Sequence, residues 1–346
     1  MNFCSARALR SLSWRTKVGG RRQGDAEAMG LTLNETFLAV SCALAILSIV
    51  ATGAGQWVAS RTMDTVRLTR LAIVNSRVRS SWSVLALFTV AFVIGPNALL
   101  VVFALASFFA LREFVSLTPI KPSDHWALVV AFYLVIPAQY VLLGFSRTNL
   151  FAVFIPVYVF LLMPVVMAIK QDTDLYLQRV AKVQWGLMIS VYCVSHAPAI
   201  ATLPIRGYEG RGPLLLLFFL LILFLTDLLQ VIASTLLGGT ALKVNLNKTA
   251  KGALAGGAAG VLIGTTLWWM TPFLWWQAFL MSALIVGSGF MGTVVLSLVK
   301  RSLGAKQWDS ELVLTRGVLE RLDALMFAAP VFWQVTRYLW VIRVDV

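Results

Sequence analysis

Membrane-length apolar runs constrain this chain more than any other feature. The most continuous, residues 213–236, holds a single charged side chain, Asp227. A bilayer-spanning helix needs about 20 apolar residues, so this run is long enough to cross. Similar runs recur along the chain, and only 13% of all residues are charged, about half the usual fraction in soluble domains. The sequence therefore predicts an all-α polytopic integral membrane protein.

The apolar runs predict about 9–10 transmembrane helices. They lie near residues 36–58, 82–95, 97–111, 126–144, 150–169, 185–204, 213–236, 253–271, 276–299 and 324–342. The second and third runs are short and meet at Gly95-Pro96-Asn97, where we expect a hinge, with the two segments either tilted or forming a re-entrant pair. We divide the chain into a basic tail (1–28), an N-terminal transmembrane region (29–212) and a C-terminal transmembrane region (213–346).

Loop charges orient the predicted bundle, because Lys and Arg are retained on the cytoplasmic side. If the first span runs from the outside to the inside, the loops on the cytoplasmic side hold 18 Lys and Arg, whereas the opposite side holds five. The richer loops are residues 61–80, 112–124, 170–182, 238–252 and 300–321. We therefore expect these loops, and any polar site that they carry, to face the cytoplasm.

The basic tail conflicts with this orientation. Its six Lys and Arg would hold the N-terminus inside, yet the loop after the first span is also basic, and one span cannot satisfy both. Either the later loops settle the orientation or translation begins at Met29, and the charge rule favours Met29.

The net charge of +14 is spread over loops that bound membrane spans. That distribution favours anionic lipid headgroups as the partner and argues against nucleic acid. The three cysteines, Cys4, Cys42 and Cys193, indicate no disulfide framework.

Dense charge follows the apolar run at residues 276–299. Thr293, Ser297, Lys300 and Arg301 are spaced to share one face of the helix that leaves the membrane. More charged residues follow within a short distance: Lys306, Arg316, Glu320, Arg321 and Asp323. Upstream, Asp227 lies inside an apolar run, where a carboxylate costs several kcal/mol unless it is paired or hydrated. We expect Asp227 to be functional or ion-paired, whereas His196, a lone histidine within a span, is expected to be a packed residue.

The C-terminal block resembles the signature of the phosphatidate cytidylyltransferase (CDP-diacylglycerol synthase) family. The matching residues are Gly292, Ser297, Lys300, Arg301, Lys306, Gly317, Arg321 and Asp323. The departures are Thr293 and Gln307 at two Asp positions, Thr315-Arg316 at His-Gly, and Glu320 at a third Asp. A second block resembles the same family at Thr226, Asp227, Gln230, Gly238, Asn247, Lys248, Thr249 and Gly252, and FALREF at 109–114 is a weaker echo.

The resemblance covers the chain from about residue 65 onward and implies a function: CTP and phosphatidate react to give CDP-diacylglycerol and pyrophosphate, with Mg²⁺ as cofactor. It implies catalytic roles, mainly in holding phosphate, for Ser297, Lys300, Arg301, Lys306, Arg321 and Asp323. It implies substrate binding by Gln230, Lys248, Thr249 and Arg316, and metal binding by Asp227, Glu320 and Asp323. A homodimer is also expected from the family.

Two rival functions stay open. Thr293 and Gln307 each replace a metal-binding carboxylate with a neutral group, which favours a non-catalytic member that binds phospholipid or a membrane partner. A transporter or lipid flippase would instead use Asp227 and the basic loops as a polar pathway. The chain has no evident internal repeat, and this counts against the transporter.

Overall fold

The computed structural model describes residues 86–118, 121–240, 248–303 and 317–341, together with a few isolated positions before residue 86. Every regular element in these ranges is a helix, which confirms the predicted all-α class. The basic tail and nearly all of the first predicted span lie outside the described residues.

We number the helices from the hinge onward, after a short helical stretch over residues 86–94. They are α1 (Pro96–Ser116), α2 (Pro122–Gly144), α3 (Thr148–Ala168), α4 (176–201), α5 (Gly212–Leu237), α6 (Ala250–Thr266), α7 (Trp275–Ser302), α8 (Val318–Arg321) and α9 (Asp323–Trp340). Among the described residues, α1, α2, α3, α5 and α7 are long and apolar enough to cross a membrane. We call the end of the bundle where α1, α3, α5 and α7 finish the basic end, because it carries the basic loops.

The hinge expected near Gly95 is present. The helix over residues 86–94 stops at Gly95, whose φ of 136° is accessible chiefly to glycine, and α1 restarts at Pro96. Proline suits the first turn of a helix because its missing N–H has no intrahelical partner there.

Helix α4 begins earlier than the sequence suggested. The predicted span starts near residue 185, whereas the helix starts at Tyr176 and so includes Arg179 and Lys182. The early turns are stable because Arg179 is neutralised: its Nη1 donates to Asp172 Oδ2 at 2.6 Å, and Asp124 Oδ1 lies 3.6 Å away. The hydropathy pattern missed these turns because it counts a buried, paired arginine as a solvent-exposed residue.

Helix α5 occupies the interior of the bundle. Its residues 214–223 are all buried, as expected for a helix that is apolar on every side. Helix α6 packs closely against it through glycines four residues apart: Gly252, Gly256, Gly260 and Gly264. A Cβ on Gly256 would lie 2.4 Å from the backbone of Gln230, so this contact requires glycine.

The last helix, α9, packs on α4 and α7. His196 of α4 is buried among the rings of Phe151, Tyr192 and Trp333, and its Nδ1 lies 2.7 Å from the Tyr192 carbonyl oxygen. The expectation that His196 is a packed residue is therefore confirmed.

Candidate functional site

A buried ion pair joins α5 to the start of α6 at the basic end. Lys248 Nζ lies 2.8 Å from Asp227 Oδ1 and donates to Gln230 Oε1 at 2.7 Å. Lys248 is only 2% exposed, and the Asp227 side chain is 19% exposed. Asp227 therefore has the ionic partner that its apolar surroundings demand, and three of the predicted site residues meet in one cluster.

Backbone contacts hold this cluster in place. Thr249 N donates to Ser234 Oγ at 3.0 Å, and Gly252 N donates to Thr249 Oγ1 at 3.1 Å, so Thr249 caps the N-terminus of α6. The close approach of α6 through its glycines brings Lys248 within reach of α5. We infer that Thr249 has a structural role in this arrangement, whatever else it binds.

The C-terminal turns of α7 carry two hydroxyl side chains and two cations. Thr293 Oγ1 donates to Gly289 O at 3.2 Å and Ser297 Oγ donates to Thr293 O at 2.7 Å, so both hydroxyl groups bond within their own helix. Lys300 and Arg301 occupy the last turn, where cations complement the helix dipole. Lys300 Nζ lies 3.9 Å from Glu320 Oε2 of α8, and this contact brings two predicted site residues together.

The segment that carries Glu320, Arg321 and Asp323 returns to the end of α7. A Cβ on Gly292 would lie 2.7 Å from Asp323 O, so α7 and the start of α9 touch here. Gly289, one turn earlier on α7, faces both Leu223 of α5 and Ala324 of α9. The three helices thus meet one turn before Asp227 of α5 and Thr293 of α7.

Glu113 is a site residue that sequence reasoning did not select. Its Oε2 accepts a hydrogen bond from Leu319 N at 3.1 Å, the Val318 amide also donates to the carboxylate, and the side chain is 5% exposed. A Cβ on Gly317 would lie 1.7 Å from Glu113 Oε1, so any larger residue there would displace the Glu113 carboxylate. A helix N-terminus attracts negative charge, so Glu113 fixes α8 from a position 206 residues away in sequence. The signal was the FALREF echo, which contains this residue.

The described residues offer few ligands for a divalent cation. No group of three His, Cys, Asp or Glu side chains occurs among them. Asp227 is held by Lys248, and Glu320 faces Lys300, so each of these carboxylates already has a cationic neighbour. Mg²⁺ is commonly bound by one or two carboxylates with substrate phosphates and waters. Asp323 and Glu320 fit only that substrate-assisted arrangement.

Several predicted site residues lie outside the described part of the chain. They are Lys306 and Arg316, which fall with Gln307 in residues 304–316, outside the described ranges. The site assembled from the remainder has two groups: Asp227, Gln230, Lys248 and Thr249 between α5 and α6, and Lys300, Glu320, Arg321 and Asp323 between α7, α8 and α9.

Comparison with known proteins places this arrangement in a family. The model of the cytidylyltransferase family matches residues 75–339. The chain is 34% identical over 270 residues to the uncharacterized protein YnbB of Escherichia coli (strain K12), covering 77% of this chain and 88% of that protein. It is 31% identical over 121 residues to the phosphatidate cytidylyltransferase of Aquifex aeolicus (strain VF5), covering 34% of this chain and 45% of that protein. Because the family model matches most of the chain and the similarity to the Escherichia coli protein extends over 77% of it, the chain belongs to the cytidylyltransferase family.

Proposed function

We propose that this protein transfers a cytidylyl group from CTP to phosphatidate, giving CDP-diacylglycerol and pyrophosphate. One observation carries the proposal. In a member of the cytidylyltransferase family, Lys300 of α7 stands beside Glu320 of α8 at the end of the membrane-spanning bundle, where a lipid headgroup and a soluble nucleotide can meet. We place this end at the cytoplasmic face on the loop charges alone, and we propose a homodimer by analogy with the family.

The reaction needs charge neutralisation more than it needs a base. A phosphate oxygen of phosphatidate attacks the α-phosphorus of CTP, and the bond from that phosphorus to the oxygen bridging to the β-phosphate breaks. Pyrophosphate leaves with that oxygen. The attacking oxygen is already anionic, so the protein has to position two polyanions and offset their repulsion. Lys300, Arg301 and Arg321 supply fixed positive charge for this task, and Lys306 and Arg316 extend it in the sequence.

Mg²⁺ is proposed as cofactor, held by Asp323 and Glu320 together with the triphosphate of CTP. When bound, it would offset charge on the phosphate oxygens. In this proposal Lys248 orients Gln230 and neutralises Asp227. Asp227 therefore acts on the site by holding Lys248 in place. Ser297 and Thr249 would bind phosphate after their hydroxyl groups rotate away from their present backbone partners.

A second function is supported by a separate observation. The hydroxyl groups of Thr293 and Ser297 are satisfied within α7, and Asp227 is satisfied by Lys248, so these groups are arranged as a stable structure without ligand. A non-catalytic protein that binds phosphatidate at the same cations would have these features.

One experiment separates the two functions. Membranes containing the protein are incubated with labelled CTP, phosphatidate and Mg²⁺, beside Lys300→Met as a control and a Thr293→Asp/Gln307→Asp double variant. Labelled CDP-diacylglycerol from the wild type, lost in Lys300→Met, supports catalysis and excludes the non-catalytic function. Product from the double variant alone would mean that the fold is retained while the metal site is incomplete. Phosphatidate binding without product in any variant would favour the lipid-binding function.

A further inference from the structure

A contact between α1 and α8 reaches the candidate site from a distant part of the chain. The Glu113 carboxylate of α1 accepts hydrogen bonds from the backbone amides of Val318 and Leu319. Both ends of this contact are buried, because Glu113 is 5% exposed and Leu319 is 0% exposed. Glu320 follows Leu319 directly, and consecutive Cα atoms are about 3.8 Å apart. Holding the Leu319 amide therefore fixes the backbone that carries Glu320 beside Lys300.

Glu113 also belongs to the same group of charges. It is close enough to Lys300 and Glu320 for both to act on its carboxylate, the lysine by attraction and the glutamate by repulsion. Lys300 and Glu320 are themselves only 16% and 22% exposed. Charges that are partly buried are screened much less than charges in open solvent. The charge of Glu113 therefore influences how Lys300 and Glu320 stand relative to each other.

Gly317 leaves the space that the Glu113 carboxylate occupies. A Cβ on Gly317 would lie 1.7 Å from Glu113 Oε1 and 2.4 Å from its carboxyl carbon. The backbone of Gly317 has a φ of −63°, which any residue can adopt, so an alanine there would act through this contact and not through backbone strain. The same contact can thus be disturbed from either side, at Glu113 or at Gly317.

We propose that Glu113 is a positioning residue for the phosphate site: it holds the start of α8 and so sets Glu320 and Arg321 against Lys300 of α7. The proposal rests on the proposed function for the identity of the ligand, phosphatidate, which the catalytic and the non-catalytic functions share. A contact with a purely structural role would change the free energy of unfolding alone. A positioning residue also changes the affinity of the folded protein for its ligand.

Phosphatidate binding by the purified full chain, measured by native mass spectrometry, tests this proposal. Phosphatidylcholine with the same acyl chains is the reference lipid, and a thermal unfolding curve checks that each variant is folded. We expect Glu113→Ala and Gly317→Ala each to lower the preference for phosphatidate about fivefold, the effect of one cation near a lipid headgroup. Glu113→Gln keeps one acceptor oxygen at the same reach and should lower it less. If Glu113→Ala does not fold, Glu113→Gln and Gly317→Ala carry the test.

Two control variants separate positioning from general effects. Glu209→Ala removes an exposed carboxylate from the opposite end of the bundle and changes the net charge as much as Glu113→Ala does. Gly287→Ala adds a Cβ with no atom within 4 Å. Both should leave the phosphatidate preference unchanged. A loss in Glu209→Ala equal to that in Glu113→Ala would assign the effect to net charge and overturn the proposal.

The double variant Glu113→Ala/Gly317→Ala shows whether the two residues act through one contact. Once the carboxylate is removed, the methyl group added at Gly317 enters the space that it left. The double variant should therefore resemble Glu113→Ala alone. Effects of the two substitutions that multiply would mean that they act independently, and this would overturn the proposal.

Product assays on the same proteins distinguish this proposal from the proposed function. An unchanged phosphatidate preference in both Glu113→Ala and Gly317→Ala overturns the positioning role, even where the wild type forms CDP-diacylglycerol. The buried Leu319 and Leu322 would then be sufficient to hold α8. A lowered preference in both variants, with no product from the wild type, supports the positioning role and contradicts cytidylyl transfer. A wild type that does not prefer phosphatidate to phosphatidylcholine overturns the positioning role as well.

Discussion

Removing the charge of Asp227 should destabilise the protein more than removing the charge of its partner, Lys248. Asp227→Asn leaves the Lys248 ammonium 2% exposed, with Gln230 Oε1 and a neutral amide as its neighbours. Lys248→Met leaves the Asp227 carboxylate, which is 19% exposed and can be partly hydrated. The geometry therefore predicts that losing the acid costs more than losing the base.

The magnitudes follow from the burial of each partner. Removing one member of a fully buried ion pair costs about 3–5 kcal/mol, and we expect Asp227→Asn to fall in that range. For Lys248→Met we expect about 1–3 kcal/mol, because the remaining carboxylate is partly exposed. Replacing both residues, as in Asp227→Leu/Lys248→Met, should recover most of the loss, since apolar replacements for buried pairs are often nearly neutral.

Reversible unfolding in mixed detergent micelles measures these differences. The coupling energy comes from a closed cycle that compares the wild type with Asp227→Asn, Lys248→Met and the double variant Asp227→Asn/Lys248→Met. Equal losses for the two single variants, or additive losses with a coupling energy below about 0.5 kcal/mol, would refute the reasoning. Such a result would mean that both side chains are hydrated and that the pair does not anchor α6 to α5.

Three further predictions concern stability. Glu113→Gln weakens a charge-assisted hydrogen bond at the start of α8 and should cost about 1.5–3 kcal/mol in the same unfolding assay; an unchanged stability would mean that α8 is held by other contacts. Gly256→Ala introduces a Cβ 2.4 Å from the α5 backbone and should cost about 1–3 kcal/mol, whereas Gly287→Ala, with no atom within 4 Å, should be tolerated. Hydrogen bonds from Arg179 and Ser123 lower the pKa of Asp172 from 3.8 to about 2. A depressed pKa gives stability that is present above about pH 4 and is lost as the pH falls towards 2. The other charged residues near Asp172 are Lys121, Asp124 and Asp174. Thermal unfolding between pH 7 and 2.5 should therefore become less pH-dependent in Asp172→Asn.

Within the described ranges the sequence predicted the helices and their order well, because membrane helices leave a long apolar signal. It also selected Asp227, Gln230, Lys248 and Thr249, which the structure brings into one cluster. It expected Asp227 to be functional or ion-paired but did not identify the partner, which the structure shows to be Lys248.

The features that were missed depend on contacts between residues distant in sequence. Glu113 acts on a helix N-terminus 206 residues away, and no local pattern reveals such a pairing. The early start of α4 was missed because Arg179 is polar in sequence but buried and paired in the fold. Gly317 was selected only as a match to the family signature, and its close approach to the Glu113 carboxylate is visible only in the fold.

The central claim is cytidylyl transfer at the end of α7, and product stoichiometry tests it most directly. The purified protein in phosphatidate-containing micelles is given CTP and Mg²⁺, and CDP-diacylglycerol and pyrophosphate are both quantified by mass spectrometry and a coupled assay. The account predicts the two products in equal amounts from the wild type, and their loss in Arg321→Met. A folded, monodisperse wild-type protein that forms neither product at any Mg²⁺ concentration would contradict it.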